Sequence, residues 1–135
     1  MKELVLYYSY TGNTAQLAGE FAGEHELALC EILTERPLGK FAAYAVGCFK
    51  ALKGVGMPIE PPAKSLDACE TAHIFAPVWA GHIAPPMASA IVLLPKGAAL
   101  HLHMVSRSGN SEEDRVTARL RDAGYTVETY EDIRK

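Results

Sequence analysis

Short apolar runs alternate with segments of helical periodicity along almost the whole chain, and this alternation restricts the possible folds more than any other feature. The run ELVLYY at residues 3–8 is followed by TAQLAGEFAGEH, in which apolar residues recur at helical spacing. Four further runs that predict strands are LALCEIL at 27–33, AHIFAPV at 72–78, LHLHMV at 100–105 and YTVETY at 125–130. Such alternation predicts an α/β fold, in which helices cover both faces of a parallel sheet.

The segments between these runs carry helix signals. Apolar residues from Leu38 to Leu52 form one helical stripe, and ASAIVLL at residues 88–94 predicts a further helix after a proline-bounded loop, WAGHIAPPM. Ser111 is a suitable N-cap for the last helix, because acidic residues follow it in the first turn, where they interact favourably with the helix dipole. Gly124 is expected to end that helix.

Length, composition and charge restrict the class of protein. A chain of 135 residues with 49% hydrophobic residues fits one domain spanning residues 1–135. No apolar run is long enough to cross a bilayer and no signal-peptide pattern is found, so we expect a cytoplasmic protein. The net charge of -3 gives no basic surface for nucleic acid or for a membrane. Cys30, Cys48 and Cys69 are widely spaced, which favours buried thiols over a disulfide framework or a zinc site.

Ligands of such sheets bind at the carboxyl ends of the strands, which makes the loops beginning at Ser9, Pro77 and Ser106 the candidate binding elements. The first loop, SYTGNT at residues 9–14, combines hydroxyl and amide side chains with a glycine and leads into a helix, whose first amide groups favour an anion.

Because no Lys or Arg occurs between Lys2 and Arg36, we expect neutral donors to hold a phosphate in this loop. The loop lacks the lysine of GxxxxGK[ST] and does not match GxGxxG, so a mononucleotide with a single terminal phosphate fits better. The alternative is an ordinary strand-to-helix turn with a good cap.

The same loop resembles the [ST]-x-T-G-x-T phosphate loop of the flavodoxin family at every defined position. AHIFAPVWAGHIAPPM is similar to the third strand and first flavin loop of small bacterial flavodoxin-like proteins, and FAAYAVGCFKALKGVGMPIEPP is similar to the helix before it. The resemblance implies a three-layer α/β/α sandwich around a five-stranded parallel sheet in the order 2-1-3-4-5. It also implies FMN as the cofactor.

Three groups of residues are expected to bind FMN. They are Ser9, Tyr10, Thr11, Gly12, Asn13 and Thr14 at the phosphate, Pro77, Val78, Trp79, Ala80 and Gly81 beside the ring, and Ser106, Arg107, Ser108 and Gly109 at the pyrimidine edge. Trp79 lies in a loop between prolines, which favours stacking on a planar ring over core packing. The resemblance further implies that the backbone rotates at Gly81, and that a carbonyl of Ala80 or Gly81 accepts a hydrogen bond from the reduced flavin.

The third loop, SRSGNSEED, departs from the family pattern because it contains no aromatic residue for the outer flavin face. We expect Arg107 near the pyrimidine edge, together with His82 from the second loop, where positive charge would stabilise an anionic reduced flavin. The alternative for Arg107 is a solvated side chain that pairs with Glu112 or Glu113.

Histidines form a second group of candidate ligands. His101 and His103 share one face of their strand, and His73 is expected on the adjacent strand. Three imidazoles are able to bind a metal, but this pair lies away from the ligand edge and no carboxylate or thiolate is obviously placed to join it. We therefore expect histidines that are hydrogen-bonded beneath a helix and no metal site. No set of residues typical of a catalytic nucleophile is present, so no catalytic residue is assigned.

Together these features predict an FMN-binding protein that transfers electrons through a noncovalently bound flavin. Two alternatives stay open, namely an FMN-dependent quinone or NAD(P)H oxidoreductase and a flavodoxin-fold binding module without flavin. The modest net charge of -3 argues against a low-potential carrier that docks on basic partners. The expected partner is a redox protein or a small-molecule electron acceptor, and the expected state is a monomer or a weak homodimer.

Overall fold

A computed structural model describes residues 2–35 and 56–135 of the chain. The helix that the sequence predicts from Leu38 to Leu52 lies outside the described residues, as does Cys48. Cys30 and Cys69 are buried free thiols, as predicted. None of the helices in the described part of the chain is long and apolar enough to cross a membrane.

Strands and helices alternate through the described residues. In chain order they are β1 (Glu3–Tyr7), α1 (Asn13–His25), β2 (Ala28–Glu31), β3 (Thr71–Trp79), β4 (His82–Ile83), α2 (Pro85–Ile91), β5 (Ala99–Ser106), α3 (Glu113–Asp122) and β6 (Thr126–Arg134).

One sheet joins all the strands. Its main path runs β2-β1-β3-β5-β6, and every pair along this path is parallel. The short β4 pairs antiparallel with the end of β3 and lies off the path. The five parallel strands, taken in chain order, therefore follow the predicted order 2-1-3-4-5, and β4 is an addition that the sequence did not predict.

Alternate strand residues pack against helices on opposite faces of the sheet, which confirms the predicted layers. Leu6, Ile74 and Leu102 belong to the larger core, which also contains Met87 of α2 and Val116 of α3. On the other face, the fully buried Val5 packs with Phe75 and with Ala18 and Ala22 of α1. Each central strand is therefore buried on both sides, as its continuous apolar sequence predicts.

The segment after β3 differs from the predicted loop at residues 79–87. Trp79 is still part of β3, and a two-residue turn connects it to His82 of β4. Helix α2 then begins at Pro85 instead of residue 88. Proline is favoured at the first helical position, because an N–H there would have no intrahelical acceptor and the φ of proline suits a helix. The same helix ends at Ile91, so Val92 and Leu93 follow it as exposed residues.

The predicted N-cap of the last helix is also wrong. Helix α3 has Glu112 at its N-cap position, without a side-chain capping bond. The Ser111 hydroxyl instead donates a hydrogen bond to Asp132 at 2.6 Å and lies 2.5 Å from the hydroxyl of Tyr130, which ties the start of α3 to β6. The acidic first turn is present in Glu113 and Asp114, and Gly124 follows the helix with a φ of 101°.

Candidate functional site

Three segments come together at the carboxyl edge of the sheet. They follow or end the adjacent parallel strands β1, β3 and β5, at residues 9–14, 77–81 and 106–109. The second segment is not the loop that the sequence predicts, because residues 77–79 still pair within the sheet. The strand order thus brings the predicted binding elements to a single edge.

The first segment forms a tight turn at the start of α1. The amide of Gly12 donates to the Ser9 hydroxyl at 3.0 Å, and Gly12 has the left-handed φ of 100° that favours glycine. Among the described residues no side chain caps α1, and the first amide groups of a helix have no intrahelical acceptor. Thr14 is buried at 3% exposure, while Thr11, Gly12 and Asn13 are exposed. The turn therefore presents hydroxyl and amide donors at the positive end of a helix dipole.

Trp79 connects the first two segments. Its indole makes edge-on contacts with Tyr8 and Tyr10, whose ring centroids lie 6.0 and 5.9 Å from its own. The Trp79 side chain is half-buried, and Tyr8 is buried beneath it. Burial, with a smaller contribution from Tyr10, raises the pKa of Tyr8 to about 12, so Tyr8 supports the indole as a neutral ring.

Ala80 and Gly81 form the turn between Trp79 and His82. Both have a left-handed backbone, with φ values of 52° and 83°, as the central residues of a type I′ hairpin turn require. The Gly81 carbonyl accepts a hydrogen bond from the Glu112 amide at 2.7 Å. The turn is therefore attached to the start of α3, and one of the two carbonyls predicted to face a flavin already has a partner.

The third segment repeats the turn chemistry of the first. The Gly109 amide donates to the Ser106 hydroxyl at 3.0 Å, as Gly12 does to Ser9, and the Asn110 amide donates to Ser108. Arg107 and Ser108 are exposed. Within the described part of the chain, Arg107 forms no ion pair with Glu112 or Glu113, which removes the pairing that the sequence left open.

The prediction that His82 adds positive charge to this edge is wrong. His82 is 3% exposed, and an Arg119 N–H donates to its Nδ1 at 3.4 Å. Burial, followed by the nearby Arg119, lowers the pKa of His82. The imidazole is therefore neutral near pH 7 and lines a cavity between α2 and α3.

Lys135 is a basic residue that reaches α1 and that the sequence did not predict at this site. The Lys135 ammonium donates to Gln16 near the start of α1 at 3.0 Å, and the Lys135 amide donates to the Ser106 carbonyl at 2.8 Å. Lys135 follows β6, and β6 runs parallel to β1, so both strands deliver their following residues to the same edge. The parallel arrangement of β6 could have predicted this position of Lys135. The edge therefore contains a charged donor as well as neutral ones.

The three histidines come together on the α1 face of the sheet, as predicted. The rings of His73 and His101 stack at 4.7 Å, and His103 lies 6.4 Å from His73. Each histidine bonds a different group, since His73 pairs with Glu3 at 2.6 Å, His101 with Thr129 at 2.8 Å and His103 with Glu131 at 2.9 Å.

Phe21 of α1 packs over this histidine cluster, with its ring centroid 4.9 Å from that of His73 and 5.1 Å from that of His103. The expectation of hydrogen-bonded histidines beneath a helix is thus confirmed. In residues 2–35 and 56–135, no group of three or more potential ligands has an arrangement that would hold a metal ion.

Comparison with known proteins supports the fold assignment. No protein-family model matches the chain, and no curated protein sequence matches it. Among solved structures, the chain is similar to a flavoprotein from Lactobacillus acidophilus NCFM in complex with FMN, with a TM-score of 0.75 and 19% identity over 96% of this chain and 91% of that one.

Two further structures are proteins assigned as flavoproteins. The one from Bacteroides eggerthii DSM 20697 has a TM-score of 0.79 and 17% identity over 96% of this chain and 86% of that one. The one from Bacteroides uniformis ATCC 8492 has a TM-score of 0.65 and 19% identity over 96% of this chain and 88% of that one. The chain therefore has a flavodoxin-like α/β fold.

Proposed function

We propose that the chain binds FMN noncovalently at the carboxyl edge of its sheet and transfers electrons through it. The main support for the proposal is the contact between Tyr10 and Trp79. Through this contact a half-buried indole lies beside the uncapped start of α1. A planar ring and a phosphate are the two parts of FMN that need these two surfaces. The fold shared with the FMN complex of the Lactobacillus acidophilus flavoprotein agrees with this assignment.

The residues at the edge fit the phosphate of FMN. The uncapped amide groups of α1 and the hydroxyls of residues 9–14 are donors, and a Cβ added at Gly12 would meet no atom within 4 Å, so the backbone there is open to a ligand. We assign the phosphate to Ser9, Tyr10, Thr11, Gly12, Asn13 and Thr14. The Lys135 ammonium adds a positive charge close to this group.

The ring of FMN is assigned to the second and third segments. Trp79, supported by Tyr8 and Tyr10, would pack on the ring and exclude water from one side. Pro77, Val78, Ala80 and Gly81 complete that side. Ser106, Arg107, Ser108 and Gly109 would border the pyrimidine edge. Because the Gly81 carbonyl already bonds Glu112, we assign the acceptor for the reduced flavin to the Ala80 carbonyl.

When bound, FMN supplies the capacity to accept and release one or two electrons. This chain contributes binding, orientation and partial exclusion of water. We further propose that the protein acts in the cytoplasm as a monomer or weak homodimer, with a redox protein or a small-molecule acceptor as its partner and without contact to nucleic acid or membranes.

The second candidate function is an FMN-dependent reductase of quinones or NAD(P)H. The exposed Arg107 favours it, because the segment from Ser106 to Gly109 contains no aromatic residue and offers a cation to an anionic substrate. Turnover of NAD(P)H with a quinone, catalysed by the protein alone, would support this alternative. A carrier would show no such turnover without a partner protein.

Binding of FMN is the decisive test. Apoprotein is titrated with FMN and separately with riboflavin, and flavin fluorescence reports the bound fraction. We expect saturable binding of FMN with one site per chain and weaker binding of riboflavin, which lacks the phosphate. If neither flavin binds, the proposal is wrong and the flavin-free binding module becomes the better reading of the fold.

A further inference from the structure

A cavity of about 140 Å³ lies between α2 and α3 and is partly open to solvent, since the exposed residues Val92 and Arg119 are among those that line it. Its walls are apolar and include Ile83, Ile91, Val116 and Leu120. An apolar cavity of similar size in other proteins stays free of water and binds a single aromatic ring. The volume therefore suits one ring or a short branched chain.

The polar residues that line this cavity in the described part of the chain are His82, Arg119 and Tyr125, and the Tyr125 hydroxyl donates to the Leu94 carbonyl at 3.0 Å. The buried His82 Nδ1 accepts a hydrogen bond from the Arg119 guanidinium, so the imidazole proton is on Nε2. Burial and Arg119 both lower the pKa of His82, with Arg115 adding to the effect and Glu112 opposing it. Arg119 is therefore the charged residue among those described that line the cavity, and it lies beside a neutral imidazole.

We propose that this cavity binds a small organic carboxylate, with its apolar body between α2 and α3 and its carboxylate on the Arg119 guanidinium. Apolar walls disfavour a fully polar ligand, because its polar groups would lose their hydrogen bonds to water and find no partners there. A guanidinium at the cavity is the group that recognises a carboxylate by paired hydrogen bonds. This site is separate from the proposed flavin site and does not require that the chain bind FMN.

The ligand class is tested with benzoate, benzyl alcohol and acetate as probes. Each is titrated into the full isotope-labelled chain, and amide chemical shifts are followed by NMR. We expect benzoate to give saturable shifts at Ile83, Ile91, Val116 and Leu120. Benzyl alcohol, which has the ring without the charge, should bind about threefold to tenfold more weakly, and acetate, which has the charge without the ring, should not bind.

Variants of the protein measure separately how the apolar part and the carboxylate of the ligand contribute to its affinity. Ala123→Leu and, independently, Ala88→Leu place a larger side chain at the cavity wall and should abolish benzoate binding. Arg119→Gln should reduce benzoate affinity to that of benzyl alcohol, while Arg119→Lys should restore part of it. Arg121→Gln, an exposed arginine on the same helix that does not line the cavity, is the matched control.

Three results would overturn the proposal. The first is the absence of saturable shifts at the cavity amides with benzoate. The second is benzoate affinity that stays unchanged in both folded Ala→Leu variants. The third is benzoate affinity that falls equally in Arg119→Gln and Arg121→Gln. A folded state of each variant is confirmed from the dispersion of its own spectrum, so loss of structure is distinguished from loss of binding.

Discussion

Trp79 is the side chain that most directly links the fold to the proposed flavin. It is held edge-on by Tyr8 and Tyr10, so the indole is oriented before any ligand arrives. A ring whose position is fixed in advance loses little conformational freedom on binding. The same two contacts make Trp79 part of the folded structure, and its replacement has to be judged by binding and stability together.

We expect Trp79→Ala to weaken FMN binding by about threefold to tenfold or more, because stacking of aromatic rings contributes roughly 0.5–1.5 kcal/mol beyond burial. Trp79→Phe should retain part of the affinity, since it keeps a flat ring at the same position. Flavin fluorescence titrations of the three proteins provide the measurement. Equal affinity of the alanine variant and the parent protein would remove Trp79 from the site.

Lys135 is expected to recognise the phosphate of FMN and not its ring. Exposed charge pairs contribute about 0.2–1 kcal/mol, so Lys135→Gln should weaken FMN binding by roughly 1.4-fold to fivefold and leave riboflavin binding unchanged. The FMN difference should shrink as salt is added. Lys2→Gln, an exposed lysine before β1 at the opposite edge, is the matched control. A loss that affects riboflavin equally would assign Lys135 a structural role.

Among the structural elements of the site, the β3–β4 hairpin is the one that the sequence did not predict. Type I′ turns are usually recognised by Asn-Gly or Asp-Gly, whereas this turn is Ala80-Gly81. Ala80 adopts a left-handed φ without the side chain that normally favours it. Prolines at 85 and 86 suggested a loop, although they are the first residues of α2. Local sequence signals therefore failed where tertiary contacts, such as Gly81 with Glu112, fix the backbone.

Gly81→Ala tests how strongly that hairpin depends on its glycine. The φ of 83° is unfavourable for alanine, and the new Cβ would lie 2.9 Å from the Glu112 Cγ. We expect the variant to lose about 1–2 kcal/mol of unfolding free energy, measured by urea denaturation. Gly19→Ala in α1 is the control, because its Cβ would meet no atom within 4 Å and alanine favours helix by up to about 1 kcal/mol. Equal stability of the parent protein and Gly81→Ala would show that the turn adapts.

At the scale of the whole molecule, the sequence predicted the layers and the strand order well. Continuous apolar runs such as ELVLYY can be buried only between two layers, and the resemblance supplied the order in which they pair. Lys135 and Gln16, in contrast, are 119 positions apart, and only the parallel path of β6 brings them into contact. His82 is a second residue that the sequence placed wrongly. Its position in the chain suggested the ligand edge, but its side chain is buried.

The stability of the whole fold also depends on the protonation of His101 and His103. His103 is buried between Phe21 and Phe75, and its Nε2 has no hydrogen-bond partner in the described residues. Burial lowers the pKa of His103, although Glu131 opposes this, and His73 and His101 lower it further. Burial and then His73 lower the pKa of His101, with Glu128 and Glu3 acting in the opposite direction. Protonation of His101 or His103 therefore favours the unfolded chain.

We accordingly expect stability to fall on acidification. Because the folded pKa of His101, His103 and His82 lies below the unfolded value of about 6.5, their stabilisation is complete above that pH and is lost as the pH falls through the folded values. Each proton taken up changes the unfolding free energy by at most about 1.4 kcal/mol per pH unit. Urea denaturation at pH 8, 7, 6 and 5 measures this slope. His103→Asn, which keeps a donor towards Glu131 without a titrating ring, should flatten it, and a slope that stays the same would show that His103 does not cause the acid sensitivity.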